Sequence, residues 1–248
     1  MPTETLIFGP PGCGKTHTLM EIMQRELDKG TPPDRIGFVS FSKKAIKEAK
    51  TRAMSKFHLL EDDLPWFKTL HALGFAWLGM ESKNVVDPAD LRALEWDLGV
   101  RFDNTTAEML GEGLIPTSYQ KGNRYLSIIA RAKMRCISME QEYSDRGDYD
   151  LHWEELVFIN EVYSQYKANK NKYDFTDMVE LFVEQGTAPT LDVLIVDEAQ
   201  DLTPLQWKQV KIIKQNSDRI WYAGDDDQCV HRWNGVEVED FMNACDNK

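Results

Sequence analysis

A glycine-rich segment near the start of the chain has the residue types and spacing of a phosphate-binding loop. Residues 9–16 read GPPGCGKT, in which four residues separate a glycine from Gly-Lys-Thr. In such a loop the glycines let backbone N–H groups surround phosphate oxygens, and the following helix N-terminus adds partial positive charge. Lys15 would reach the β- and γ-phosphates of a nucleotide, and the Thr16 hydroxyl would bind Mg²⁺.

The residues around this loop predict the strand and the helix that it requires. The apolar run 6–8 indicates a buried strand, and residues 18–27 indicate the helix that follows. The alternative is a glycine- and proline-rich turn with a chance lysine. We expect nucleotide binding by the loop residues Gly9, Pro10, Pro11, Gly12, Cys13, Gly14, Lys15 and Thr16.

A pair of acids directly follows a second apolar run, residues 194–196. Burying an unpartnered carboxylate costs free energy, and a bound metal ion would offset that cost for these acids. Asp197 can hold the Mg²⁺ that Thr16 and the phosphates bind, and Glu198 can orient or deprotonate the attacking water. The alternative is a strand-to-helix turn whose acids stabilise the start of the next helix.

The sequence GDDDQ, residues 224–228, ends a further predicted strand in the same manner. The amide of Gln228 can bond the γ-phosphate or the attacking water, and so distinguish ATP from ADP. Asp226 and Asp227 are poorer site candidates, because acids beside bound ATP would repel it. We therefore predict Lys15, Glu198 and Gln228 as the catalytic residues.

The charge of the chain is unevenly distributed. The formal net charge is −12, yet residues 41–56 carry six Lys or Arg against one Glu, and residues 121–135 carry five and no acid. Net charge is a weak test of nucleic-acid binding, which depends on a local basic face. A solvated helix face is the simpler interpretation of each basic stretch.

Hydropathy and cysteine usage predict a cytoplasmic protein. No apolar run approaches the 18 residues of a membrane span, and no signal peptide is recognisable at the start. The four cysteines lie far apart without a CxxC pair, which is typical of unpaired thiols in a reducing compartment and offers no zinc site.

Two kinds of element pattern alternate along the chain. Strands are predicted at 36–41, 191–196 and 220–223, with helices between them, which indicates a parallel sheet with ligands at the strands' C-terminal ends. Residues 80–172 instead predict helix after helix, with Asp87-Pro88 and Gly99 as start and stop signals and capping boxes at 105–108 and 138–141. We expect one α/β domain, residues 1–80 plus 173–248, interrupted by an all-helical insertion at 81–172.

The ordered set of motifs resembles the N-terminal half of a superfamily 1 DNA helicase of the UvrD/Rep type. The matching segments span residues 6–236 and are GPPGCGKT, FVSFSKKAIKEAKTR, FKTLHALGF, YDFTDMVELF, LIVDEAQDLTPLQ and GDDDQCVHRWNG. The pair DEAQD and GDDDQ is specific, since most other phosphate-loop ATPases lack it. The resemblance implies a RecA-like P-loop NTPase domain, called 1A, and a helical insertion that resembles the one called 1B.

The resemblance also assigns residues to DNA. It implies that Phe41, Ser42, Lys43 and Lys44 lie against single-stranded DNA, with Phe41 stacking on a base. It implies that Thr69 and His71 touch the DNA backbone, and that Trp233, next to Arg232, stacks on a base near the ATP site. Aromatic rings accept any base face and cations follow the phosphates, although Phe41 and Trp233 could each be core residues.

The chain departs from the family pattern in three places. The family usually has YRWRG where residues 231–235 read HRWNG, so one cation of the DNA path is lost. His17 stands where an Arg often lies beside the adenine; it could stack on the base or be an exposed helix residue. Only eight residues precede Gly9, which leaves no room for the family's adenine motif with its glutamine.

The function implied by the resemblance is ATP- and Mg²⁺-dependent helicase or translocase activity, 3′→5′ on single-stranded DNA or at a junction with duplex. The family's second RecA-like domain is expected from a C-terminal part outside these 248 residues. We therefore expect the chain alone to bind ATP–Mg²⁺, hydrolyse it slowly and not unwind DNA. The alternatives are the ATPase arm of a helicase–nuclease, a nucleotide-gated nucleic-acid-binding module without unwinding, and a small-molecule kinase.

Overall fold

The strands of the protein form one parallel sheet. The computed structural model describes residues 2–10, 12–103, 120–148, 150–225, 236 and 241–245. The strands in this part of the chain are β1 (Thr3–Phe8), β2 (Ile36–Ser40), β3 (Phe67–Thr69), β4 (Leu191–Asp197) and β5 (Ser217–Gly224). Their order across the sheet is β1-β5-β4-β2-β3, and every neighbouring pair is parallel. The predicted α/β class with a parallel sheet is confirmed.

Helices connect the strands and fill the middle of the chain. The α-helices of the described residues are α1 (Lys15–Asp28), α2 (Lys43–Phe57), α3 (Leu70–Trp77), α4 (Pro88–Leu98), α5 (Lys121–Arg135), α6 (Met139–Arg146), α7 (Trp153–Lys170), α8 (Phe175–Gln185) and α9 (Pro204–Gln215). The sequence signals for α4 are confirmed, because Asp87 caps its start and Gly99 ends it in a left-handed conformation.

The inner strands β2 and β4 are buried on both faces, as expected for parallel strands, while the edge strand β1 is partly exposed. Alternate residues of β4 point to opposite faces, so Ile195 packs with α1 and α2, while Leu194 packs with α3, α8 and α9. The aliphatic residues of β4 are almost entirely removed from water. Helices therefore cover the two faces of the sheet, and the loops that follow the strands lie at its C-terminal edge.

A separate apolar core lies within the helical segment. Its residues come from α4, α5, α7 and the adjoining turns, between Val86 and Tyr166. The segment leaves and rejoins the rest of the chain at one place, because the Tyr173 amide donates to Asn84 O at 2.7 Å and the Val86 amide donates to Tyr173 O at 3.0 Å. The predicted boundaries at 80/81 and 172/173 fall next to this crossing and stay a prediction.

Candidate functional site

The predicted site segments that the structure describes lie along the C-terminal edge of the sheet. In the order of the strands they are the loop after β1, the Gly224–Asp225 step after β5, the acids after β4, residues 41–44 after β2, and residues 69–71 at the end of β3. The ends of β4, β2 and β3 are in register, since Ser40 pairs with Asp197 on one side and Thr69 on the other. The edge thus has one half with the predicted nucleotide segments and a second half with the predicted DNA segments.

The loop after β1 has the backbone of a phosphate-binding loop. Gly12 and Gly14 adopt positive φ angles of 77° and 95°, which favour glycine, and Gly14 caps the start of α1. A Cβ at Gly9 would lie 2.3 Å from Cys13 Sγ, so a larger residue there would have to displace the Cys13 side chain. The Lys15 ammonium donates to the Gly9 carbonyl across the loop, and the Gly9 amide donates to Gly224 O at 3.3 Å. The loop is thereby tied to the end of β5.

The two acids after β4 occupy different environments. Asp197 is only 5 % exposed, and its Oδ1 accepts the Glu198 amide at 3.0 Å. Burial, followed by repulsion from Glu198, raises the pKa of Asp197 to about 6, and the positive charge of Lys15 opposes that shift. Glu198 is half-buried with φ at +51°, a left-handed conformation that is unusual for a residue with a side chain. The turn therefore points one carboxylate inward and leaves the other at the edge.

Gln200 connects the acid turn to the end of β5. Its amide nitrogen donates to Glu198 Oε2 at 2.8 Å and to Asp201 Oδ2 at 3.3 Å. Its amide oxygen accepts the Asp225 backbone N–H at 3.1 Å, and a Cβ at Gly224 would approach that oxygen within 2.6 Å. The sequence predicts no role for Gln200. The amide among the acids of DEAQD was the available signal, but its partner, the Asp225 amide after β5, is 25 residues away.

Thr16 and Asp197 supply the oxygen donors that Mg²⁺ prefers. Thr16 is half-buried in the first turn of α1, and Asp197 has a carboxylate whose charge is disfavoured by burial. A nearby cation would offset that cost. The donor chemistry of these residues therefore fits the ion that the sequence predicted.

Residues 41–44 lie where the chain passes from β2 into α2. The Ser42 hydroxyl accepts the Ala45 amide at 3.1 Å and so caps the helix, while Lys43 and Lys44 are exposed in its first turn. Phe41 is partly buried against the core beneath α3, α8 and α9. The structure thus gives Ser42 a capping role and Phe41 a packing role, and DNA contact by these four residues stays a prediction.

Thr69 and His71 are both buried. The Thr69 hydroxyl caps α3 by accepting the Ala72 amide at 3.3 Å. His71 lies edge-on to the Phe175 ring, and burial lowers the pKa of its imidazole to about 4, assisted by Lys43 and opposed by Asp174. His71 is therefore neutral near pH 7. The predicted contact of these two residues with the DNA backbone is not tested by this geometry.

His17 is an exposed residue of α1, with 72 % of its side chain accessible. Its Nε2 lies 3.3 Å from Glu21 Oε1, one helical turn further on. Both interpretations of the sequence, contact with a base and a simple surface position, are compatible with this placement.

Four other predicted site residues lie outside the described part of the chain: Pro11, Gln228, Arg232 and Trp233. The capping box at 105–108 lies outside it as well.

The basic stretch 121–135 forms α5 and pairs its cations with acids. Arg124 bonds Asp148 and Asp150, and Arg135 bonds Glu142 and Asp145. Lys133 lies 2.9 Å from Asp177 Oδ1 and 2.7 Å from Glu180 Oε2 on α8. These cations therefore hold helices together, and the simple solvated face considered from the sequence does not describe them.

No helix within the described ranges combines the length and apolar composition needed to cross a membrane.

The whole chain matches a known family. Residues 1–248 match the family model of the UvrD/REP helicase N-terminal domain. The chain is 23 % identical to the ATP-dependent DNA helicase PcrA of Staphylococcus epidermidis, over 96 % of this chain and 33 % of that protein. It is 24 % identical to the putative ATP-dependent DNA helicase YjcD of Bacillus subtilis, over 93 % of this chain and 31 % of that protein. The ATP-dependent DNA helicase Rep of Buchnera aphidicola is 22 % identical, over 96 % and 35 %. The chain thus spans about a third of the length of the curated relatives that it matches.

Proposed function

The chain belongs to the UvrD/REP helicase N-terminal domain family, and on this basis we propose that it is the ATP-binding part of a DNA helicase or translocase. The observation that carries the proposal is the order of the segments along one sheet edge. The loop after β1 and the acids after β4 are the predicted nucleotide segments, and residues 41–44 follow β2, the strand next to β4. ATP hydrolysis at the nucleotide segments would then act directly on single-stranded DNA bound at residues 41–44.

The nucleotide would be held by the loop after β1. Backbone amides of residues 9–14 and the α1 N-terminus would surround the phosphates, and Lys15 would turn from the Gly9 carbonyl to the β- and γ-oxygens. Thr16 and Asp197 would hold Mg²⁺, which when bound neutralises charge on the phosphate oxygens. ATP and Mg²⁺ are accordingly the proposed substrate and metal ion.

Glu198 is the proposed general base. Its carboxylate stands at the edge of the site, next to buried Asp197, and is oriented by the Gln200 amide. In this position it would accept a proton from the water that attacks the γ-phosphate. Gln228 remains the predicted sensor of the γ-phosphate.

Several finer features of the function rest on the family resemblance. We propose single-stranded DNA, or its junction with duplex, as the substrate, and 3′→5′ as the direction of movement. A second RecA-like domain would supply arginines that reach the γ-phosphate, and such residues raise rates by several orders of magnitude. A cytoplasmic location stays a prediction.

The proposal is tested by nucleotide binding and single-turnover ATP hydrolysis, each with and without single-stranded DNA. Lys15→Ala should weaken binding of a fluorescent ATP analogue about tenfold or more, which corresponds to ~1.4 kcal/mol. Glu198→Gln should keep the binding and slow hydrolysis by about 100-fold, because only the proton acceptor is lost. Lys208→Ala, an exposed lysine on α9, is the control.

Two outcomes would contradict these assignments. Hydrolysis by the Lys15→Ala variant at the parent rate would show that the ATP site is wrong. Robust unwinding of duplex DNA by this chain alone would refute the need for a second RecA-like domain.

A further inference from the structure

A lysine-lined groove runs between α2 and the edge strand β3. It has a volume of about 550 Å³, and its basic residues are Lys43, Lys47, Lys50 and Lys68. The first three follow one another on α2 at spacings of four and three residues, which places them on one face of the helix. Lys68 stands opposite, on β3. We name this feature the α2–β3 groove.

The charge of the groove contrasts with that of the chain. The chain carries a net charge of −12, but the groove has four lysines, and the acid among its described lining residues is Glu61. Glu61 lies 2.9 Å from Lys50 Nζ. Burial and then repulsion from Lys50 lower the pKa of Lys68, and the charge of Glu61 opposes that shift. Such a groove is complementary to a polyanion.

The groove is continuous with the predicted DNA segment. α2 begins at Lys43, just past the C-terminal end of β2, and Thr69 ends β3 at the same edge. From that end the groove descends along the side of the sheet toward Met54 and Phe67. A strand lying on residues 41–44 could therefore turn into the groove without crossing another element of the sheet.

We propose that the α2–β3 groove binds the phosphate backbone of single-stranded DNA, with Lys47, Lys50 and Lys68 contacting successive phosphates. The proposal rests on the proposed function, because it extends the DNA path beyond residues 41–44. A lysine binds phosphate as a mobile point charge and carries no base specificity, which suits a strand that must slide.

The shape of the groove favours a single strand over a duplex. A recess of about 550 Å³ between a helix and an edge strand is too small to enclose a double helix, whereas a single-strand backbone can lie in it. Its lining also includes Met54, a partly exposed apolar residue against which a sugar or a base edge can pack, above the buried Ile46 and Phe67. The lysines on both walls would then face the phosphates, which is the arrangement of groove and cations typical of single-strand binding.

The main test is the affinity of the 248-residue chain for fluorescently labelled oligo(dT), measured by anisotropy over a range of salt concentrations. The triple variant Lys47→Ala/Lys50→Ala/Lys68→Ala should bind more weakly. The slope of log K against log salt should fall in magnitude by about 2, since each phosphate contact on a single strand contributes about 0.7. Lys208→Ala/Lys211→Ala, on α9 at the opposite face of the sheet, is the matched control and should leave affinity and slope unchanged.

A second variant predicts a gain. Glu61→Gln removes the acid of the groove and releases Lys50 from its ion pair. Affinity for oligo(dT) should therefore rise about two- to fivefold, the size expected of one exposed charge. Because a misfolded protein would not gain affinity, this variant separates the proposal from a general loss of structure.

The outcomes distinguish the groove from the function. If the parent chain binds oligo(dT) and the triple variant matches it in affinity and salt slope, the groove is not part of the DNA path, and the proposed function stands. If the triple variant loses affinity for duplex DNA but keeps the parent affinity for oligo(dT), the groove proposal is also overturned. If the parent chain does not bind single-stranded DNA at all, both the groove and the DNA contacts of the proposed function are refuted.

Discussion

At the scale of single residues, burial changes what a side chain can contribute to the site. Asp197 and His71 each end a strand or begin a helix at the same edge, and both are buried. Burial raises the pKa of the Asp197 carboxyl to about 6 and lowers that of the His71 imidazole to about 4, because it disfavours the charged form of each. Any contact of His71 with DNA near neutral pH would therefore be that of a neutral imidazole.

The buried imidazole predicts a specific pH dependence of stability. Its pKa is about 4 in the folded chain against 6.5 in the unfolded chain, so the unfolded state binds the proton more readily. His71 thus costs no stability above pH 6.5, and stability is lost as the pH falls from 6.5 toward 4, by about 3 kcal/mol at most. His71→Gln should lose less stability than the parent over this range in urea unfolding.

The matched control for this prediction is His152→Gln, which removes an exposed histidine. Its stability relative to the parent should change little over the same pH range. If the unfolding free energies of the parent and of His71→Gln fall equally as the pH is lowered, then His71 takes up a proton in the folded state without cost.

At the scale of elements, the acid turn and the end of β5 are joined by one amide. Gln200 is bonded to Glu198 on its own turn and to the Asp225 amide after β5, and Gly224 leaves room for this contact. The loop after β1 is bonded to the same point through the Gly224 carbonyl. The ends of three strands, β1, β4 and β5, are therefore linked by hydrogen bonds.

Replacing Gln200 should affect both orientation and stability. Gln200→Leu removes the donor to Glu198 and leaves the buried Asp225 N–H without this acceptor, which should cost about 1–3 kcal/mol of unfolding free energy. Single-turnover hydrolysis should slow more than nucleotide binding weakens, because Glu198 loses its orienting bond. Urea unfolding and single-turnover kinetics measure the two effects.

Gln200→Glu refines this test. The glutamate keeps an oxygen for the Asp225 amide but brings a third acid beside Glu198 and Asp201, so hydrolysis should still fall. Gln215→Leu at the exposed end of α9 is the control. Parent-like hydrolysis in both Gln200 variants would mean that this amide does not orient Glu198.

At the scale of the whole molecule, a cluster of charges joins two helices of the helical segment, α5 and α7, to the start of α8. Lys133 from α5 and Lys167 from α7 meet Asp174 and Asp177 at the start of α8. Lys167 Nζ lies 2.6 Å from a carboxylate oxygen of each acid and 4.5 Å from the centre of the Tyr163 ring. Asp174 and Asp177 also form the capping box of α8, so the motif YDFTDM joins the helical segment to the domain.

Removing one partner of this cluster should destabilise the fold. Lys167→Met leaves two largely buried carboxylates without their closest cation, and breaking such a pair costs about 3–5 kcal/mol. Thermal unfolding should shift downward accordingly, while Lys170→Met on the exposed end of the same helix should change little. Equal melting temperatures for the two variants would show that the cluster adds no net stability.

Local chemistry made much of this protein predictable from its sequence. The loop after β1 has glycines at Gly12 and Gly14, where φ is positive, and the helix caps at Asp87 and Gly99 use residues suited to those positions. Continuous apolar runs indicated β2, β4 and β5, and the family motifs identified the kind of protein. Each of these features depends on residues a few positions apart.

Other features depend on residues far apart in the chain and were decided by the tertiary structure. The strand order separates the predicted nucleotide segments from the predicted DNA segments, and it pairs strands that are far apart in the chain, such as β1 with β5. The short edge strand β3 was not predicted, because three residues carry too little periodicity, and without it the α2–β3 groove has only one wall. Burial decided the charge of His71 and the environment of Asp197. Long-range packing sets the solvent exposure of a residue, and a sequence pattern does not specify which distant side chains will cover it.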